Sequence, residues 1–215
     1  MASRLYVALI ADATASRLLP PARRARLQAG LRSSLAEFNR RFRPALAARF
    51  GVTQGDELQC LLNSATPLWD VAHAIRARFA DVDWVIGCGL GPVTTSLAGG
   101  RLAAPEVDGP CFHHARAAVE AAKADRQLFA FQGFGAADRT LAGFAAYYSA
   151  VYWSWTRRQR QAATAWRFAW DPHDARRPEA RLEVVPSAVS HLRRRMAWPL
   201  VVTGDKMFRT LLETA

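Results

Sequence analysis

The apolar run Leu5-Tyr6-Val7-Ala8-Leu9-Ile10 reads as a buried strand that closes on Asp12, within Ala11-Asp12-Ala13-Thr14-Ala15-Ser16-Arg17. Pro20-Pro21 then punctuates the start of a long helix, residues 22–48. Leu27, Leu31, Leu35 and Phe38 recur there at helical spacing, with arginines on the other face. Residues 47–53 and 58–62 read as the arms of a β-hairpin with Gly55-Asp56-Glu57 at its tip. Pro67 suits the first position of a second helix, residues 68–79. A strand follows at residues 84–91, then a loop, Glu106-Val107-Asp108-Gly109-Pro110. A helix over residues 111–124 and a short strand over residues 127–132 complete the unit. The order β-α-β-β-α-β is that of a ferredoxin-like or palm-type α+β sandwich, assigned to residues 1–135.

From about residue 136 the pattern turns helical, giving an all-α domain over residues 136–215. Its first helix, residues 140–153, carries Phe144, Tyr147, Tyr148, Tyr152 and Trp153, a stripe that suits core or a dimer interface better than a ligand cage, with the dimer interface preferred. Thr156 N-caps the next, residues 157–169. The last is predicted at residues 206–213 with Asp205 as its cap.

Residues 178–196 read as a helix-turn-helix. Leu182 closes the first helix, Val184 packs inside the turn, and Pro186 opens the second helix. Val189, Leu192 and Met196 then form its buried seam. Ser187, Ser190, His191 and Arg194 face away from the seam, flanked by Arg193 and Arg195. Hydroxyls and Arg194 suit base edges, and Arg193 or Arg195 suit phosphates. Glu183 stands where such turns commonly carry Gly. The competing account is a basic amphipathic helix that packs on its own tail. Readers of this kind usually bind two half-sites as dimers, so a homodimer is expected.

Composition sharpens this picture. With 51% hydrophobic and 22% charged residues, the 215-residue chain can bury a proper core. No apolar run is long enough to cross a bilayer, and the first strand begins without a signal-peptide pattern. Cys60, Cys88 and Cys111 are odd in number and sit in apolar or Gly-rich surroundings, as in a reduced cytoplasmic protein. The formal charge is +11. Residues 136–215 hold 13 Lys and Arg against 7 Asp and Glu, a denser surplus than in the longer first part. Such a surplus favours polyanions through counterion release; an arginine-rich proteome bias would produce it as well.

Asp12 at a strand end and Asp56 on a hairpin are one way to hold Mg²⁺ or Mn²⁺ over a sheet, because Mg²⁺ takes one or two carboxylates and completes its shell with water and phosphate oxygens. Glu57 is a third candidate ligand, or else a solvated edge residue or an arginine's salt-bridge partner. Ser16 and Arg17 are candidate phosphate contacts, with Arg17 alternatively capping a surface turn. Gly55 and Gln59 flank the carboxylates. Asp108-Gly109 fits a tight turn on its chemistry alone, or faces a substrate. His113 and His114 are adjacent on a helix and cannot ligate together.

The segments around Asp12, Gly55-Asp56-Glu57-Leu58-Gln59, Gly87-Cys88-Gly89-Leu90-Gly91 and Asp108-Gly109-Pro110 resemble, in order and spacing, the SatD family of bacterial proteins. The resemblance reaches Trp155-Thr156-Arg157-Arg158-Gln159 and implies no settled activity. More distantly, the first part is similar to class III nucleotidyl cyclases and their palm-fold relatives. That similarity implies metal binding by Asp12 and Asp56, with the Gly87–Gly91 strand and the His113–Arg116 helix segment facing the nucleotide. The cyclase Asn falls on His113 and Arg116 lies one residue out of register, which favours binding over turnover. The expectation is a DNA-binding transcriptional regulator with a metal- and nucleotide-binding sensor. The alternative is a Mg²⁺- or Mn²⁺-dependent nucleotidyl cyclase or nucleotidyl transferase acting on nucleoside triphosphates.

Overall fold

The computed structural model describes residues 4–53, 55–99, 102–167 and 186–215, the last segment without the side chains of residues 186 and 187. Five strands, β1 (Tyr6–Ala13), β2 (Leu46–Val52), β3 (Glu57–Leu62), β4 (Trp84–Gly91) and β5 (Phe129–Gln132), form one sheet in the order β2-β3-β1-β4-β5. The first four are antiparallel to their neighbours and β5 joins β4 in parallel, so the sheet is mixed. The helices are α1 (Pro21–Arg41), α2 (Leu68–Arg78), α3 (Pro110–Ala124), α4 (Asp138–Ser154), α5 (Arg157–Arg167), α6 (Pro186–Arg195) and α7 (Trp198–Glu213).

The strand side chains alternate between two cores, as the two-residue period requires. Val7, Leu9, Ala11 and Ala13 of β1 face a large core with α1, α2, α4 and α7, while Ala8 and Ile10 face α3 and the 104–107 turn. Gly87, Gly89 and Gly91 fall on the α3 side of β4, and α3 lies directly on them. A Cβ on Gly89 would stand 2.2 Å from the Cys111 carbonyl oxygen, and one on Gly87 2.3 Å from that of Ala115. The alternating glycines thus let helix backbone contact strand backbone.

Leu27, Leu31 and Phe38 are buried along α1, as their spacing predicts, but the helix stops at Arg41 and not near residue 48. Pro44 has no N–H for a helical bond, and residues 46–52 pair with β3 instead. The last helix begins at Trp198, eight residues before the predicted start, with Pro199 tolerated in its first turn. Asp205 therefore sits inside α7 and does not cap it. The aromatic stripe of α4 turns largely inward: Phe144 stacks on Phe208, Tyr148 meets Trp69, Tyr152 bonds Asp83, and Trp153 donates to the Arg126 carbonyl. Tyr147 is its exposed member.

The change of composition near residue 135 is crossed by the larger core. Leu141, Ala145, Tyr148, Phe208 and Leu212 join Trp69 and Phe129 in it. A smaller cluster, Trp155, Ala162, Ala163, Trp166, Val189 and Met196, seats α6 on α5. The expected first helix of the helix-turn-helix, Glu183, Val184 and the end of the helix predicted to reach residue 169 lie outside the described residues. All three cysteines are free and buried. No helix among the described residues is long and apolar enough to cross a membrane.

Candidate functional site

Asp12 is the second-last residue of β1 and Asp56 sits beside the hairpin tip, where Gly55 takes a φ of 115° that the turn reserves for glycine. Both line one pocket of about 450 Å³, together with Ser16, Arg17, Glu120 and Lys123. The loop after Asp12 is held by a bond from the Thr14 N–H to the Asp83 carbonyl, 2.8 Å, and turns through Ala15, whose φ is 56°. Ser16 is buried and Arg17 exposed.

Asp56 is the least satisfied group in the site. Its Oδ2 is shut from solvent without a hydrogen-bond partner among the described residues. Burial, then the neighbouring Asp12 charge, push its pKa up, against the pull of its own backbone, Arg24 and Arg17. A cation between Asp12 and Asp56 would relieve both causes. The donor set therefore fits a divalent ion held by two carboxylates. Lys123 already takes part of that role, its Nζ 2.9 Å from Asp12 Oδ2. Burial works against the lysine's charge, yet Asp12 raises its pKa.

Glu57 lies on the α3 side of the sheet, directly opposite Asp12 across β1 and β3. Like charges so placed destabilise a sheet unless neutralised, and α3 supplies a cation for each. Arg116 binds Glu57 with both arms, at 2.5 and 2.8 Å, while Gln59 and Thr53 donate to the same carboxylate at 2.6 and 3.1 Å. Among the alternatives for Glu57, the arginine salt bridge is the one the structure holds. Gln59 and Arg116 stand with it beside the pocket, outside its lining. Among the described residues no group of three or more His, Cys, Asp or Glu converges as metal ligands.

Burial pushes the Glu57 pKa up, but the bonds from Arg116, Gln59 and Thr53 outweigh it, leaving the group below its ordinary 4.5. A depressed folded pKa stabilises above the unfolded value and is lost as pH falls through the folded one. Wild type should therefore lose stability between about pH 5 and pH 3 faster than Glu57→Gln. The difference should lie near the lower end of the ~1.5–3 kcal/mol for charged hydrogen bonds, since Arg116 is 45% exposed. Parallel pH dependences of urea unfolding would overturn this assignment.

Asp108 and Gly109 are elsewhere. They precede α3 at its far end, where the Cys111 N–H reaches the Pro92 carbonyl just past β4, whereas Lys123 meets Asp12 near the opposite end. There the Asp108 N–H bonds Thr95 Oγ1, and its carboxylate accepts from the Gly109 N–H at 2.8 Å. His113 is 3.6 Å from Asp108, and His114 Nδ1 is 2.8 Å from the Leu90 carbonyl oxygen. The Gly87–Gly91 strand is covered by α3. Sequence reading missed Glu120 and Lys123, whose signal was the spacing Arg116, Glu120, Lys123 along one helix face.

In the basic tail, Val189 of α6 and Met196 just after it are buried against Trp166 and its neighbours, leaving Ser190, His191, Arg193, Arg194 and Arg195 exposed. The Arg193 guanidinium lies over Trp166, 5.0 Å from the ring centre. Ser187 has a helical backbone position in α6 and nothing more is described of it.

A family model described as the SatD family matches residues 6–131. A search of the curated proteins finds no match. The match spans β1 to β4, all but the last residue of β5, and α1 to α3, and thus every element that builds the Asp12 pocket; the chain belongs to the SatD family.

Proposed function

We propose that the protein is a DNA-binding transcriptional regulator whose Asp12–Asp56 pocket senses a nucleotide together with Mg²⁺ or Mn²⁺. One observation carries this reading: residues singled out separately from the sequence, Asp12, Ser16, Arg17 and Asp56, line a single pocket, and Lys123 adds a cation. At about 450 Å³ it lies within the small-molecule range. Two carboxylates would hold the ion, and Arg17 and Lys123 would reach phosphate oxygens. A ferredoxin-like, palm-type frame is supported by the β-α-β-β-α-β order from β1 to β4 and the antiparallel run β2-β3-β1-β4.

The sensing half predicts a nucleotide-dependent thermal shift that requires the divalent ion. At a hundredfold excess over Kd, the rise should be about 5–10 °C for a chain of this size. Asp56→Asn should abolish the shift. Failure of every nucleotide–metal pair to raise Tm would sink the sensor.

The output half treats α6 as the recognition helix of a helix-turn-helix that binds duplex DNA as a homodimer. Changing Arg194 and Arg195 together to Ala should weaken duplex binding about tenfold or more and flatten the log–log salt dependence by about 2. Unchanged affinity and slope would remove the tail from the DNA interface. A cyclase or nucleotidyl transferase is the second reading, favoured by the paired carboxylates alone. Arg116 is committed to Glu57 and His113 lies toward the other end of α3, which leaves few groups to act on a triphosphate.

A further inference from the structure

A second cavity, of about 160 Å³, lies between the end of α2, the 80–83 turn, α4 and α5. Four arginines line it: Arg76 from α2, and Arg157, Arg160 and Arg167 from α5. Arg76 and Arg160 stack on the Tyr152 ring at 4.7 and 4.8 Å, so two guanidiniums share one aromatic side chain. Carboxylates answer most of this charge. Asp81 faces Arg157, Asp83 faces Arg160, and Asp205 holds Arg167 with both oxygens.

Arg76 is the exception. It is 7% exposed, donates one bond to the Trp84 carbonyl, and has no carboxylate partner among the described residues. Its Nε is buried and unbonded. His73, one helical turn earlier and 5% exposed, also lines the cavity with its Nε2 buried and unbonded. Burial and then the charges of Arg167, Arg76 and Arg209 hold His73 well below its ordinary pKa, so the imidazole is neutral. A buried cation without an anion and an adjacent orphan nitrogen are costly unless something complements them.

We propose that this arginine-walled cavity is a binding site for a small, multiply charged oxyanion of the phosphate class. Its volume falls below the range of whole-nucleotide or drug-sized pockets, so the ligand is the free anion. Guanidiniums match oxyanions through paired N–H donors, and Arg76 lines the cavity without a carboxylate partner among the described residues. The site is separate from the Asp12 pocket and needs no metal.

The test is calorimetric titration of the full chain with sodium phosphate in EDTA, with sodium chloride at matched ionic strength as control. Wild type should bind phosphate saturably and chloride not at all. Arg160→Gln should weaken phosphate about tenfold or more, the loss of one charge-assisted bond. Arg157→Gln, at a side chain 74% exposed, should weaken it to a lesser degree and decides the matter if Arg160→Gln fails to fold. Asp56→Asn and Arg17→Gln should leave it unchanged. No saturable binding by wild type overturns the proposal. So does binding that survives both α5 substitutions, or that is lost in Arg17→Gln.

Discussion

Trp69→Ala is expected to cost about 3–5 kcal/mol, a large part of the 5–15 kcal/mol that holds a typical domain together. Trp69 is 1% exposed and sits among Phe208, Tyr148, Phe129 and Phe144, with ring centres at 4.6, 5.0, 5.3 and 6.4 Å. Those rings come from β5, α4 and α7, so truncation opens a hole that several elements would have to collapse to fill. For a chain of this size the loss corresponds to a fall in Tm of roughly 6–20 °C. Trp69→Phe should cost much less than its volume change suggests. The indole N–H is buried and has no acceptor among the described residues, so its removal ends an unmet hydrogen bond. Urea unfolding followed by tryptophan fluorescence and by circular dichroism tests the claim. Similar small losses in both variants would mean that the aromatic cluster contributes little. Because the core crosses residue 135, the two signals should also move together.

The same cluster shows why part of this molecule was legible from sequence and part was not. Strand positions followed from apolar runs bounded by turn residues, and the hairpin around Gly55 was fixed by its turn chemistry. Helix ends were misplaced where a local pattern competed with pairing: residues 46–48 continue the helical spacing of α1, but β3 offers them a ladder. The role of α2 was hidden because its polar residues look like a solvent face. Asp70, His73 and Arg76 instead meet α5 and α7, so the helix is covered nearly all round. Pairing of Asp12 and Asp56 in one pocket was readable, since a strand end and a hairpin tip fall together in an antiparallel sheet. Lys123 was not, because its reach to Asp12 depends on α3 lying on Gly87, Gly89 and Gly91. Alternating glycines on one strand face mark close helix packing as readily as a nucleotide-facing strand, and only the third dimension decides.

Asp205→Ala should be nearly as damaging, at about 3–5 kcal/mol, because it leaves Arg167 charged and buried without its counter-ion. The pair is bidentate, 2.7 Å from Arg167 Nε and 3.0 Å from Nη2, with side chains 9% and 10% exposed. Arg167 cannot escape by losing its proton; burial opposes its charge, yet Tyr148 and Asp205 hold its pKa above the ordinary value. Its guanidinium also lies over Tyr148 and Trp198, at 5.4 and 5.5 Å, so outward rotation would abandon both rings. Replacing both partners, Arg167→Met with Asp205→Leu, should be far milder than Asp205→Ala, since neither charge is left alone. Denaturant unfolding of the singles and the double gives the coupling directly. A loss below about 1 kcal/mol in Asp205→Ala would place this pair with ordinary surface bridges. The consequence for function is local. Arg167 ends α5 and Asp205 is central in α7, and these two helices bracket α6 in the chain. On the proposed reading of α6 as a recognition helix, breaking the clamp should also weaken duplex binding, with Arg194 and Arg195 themselves intact.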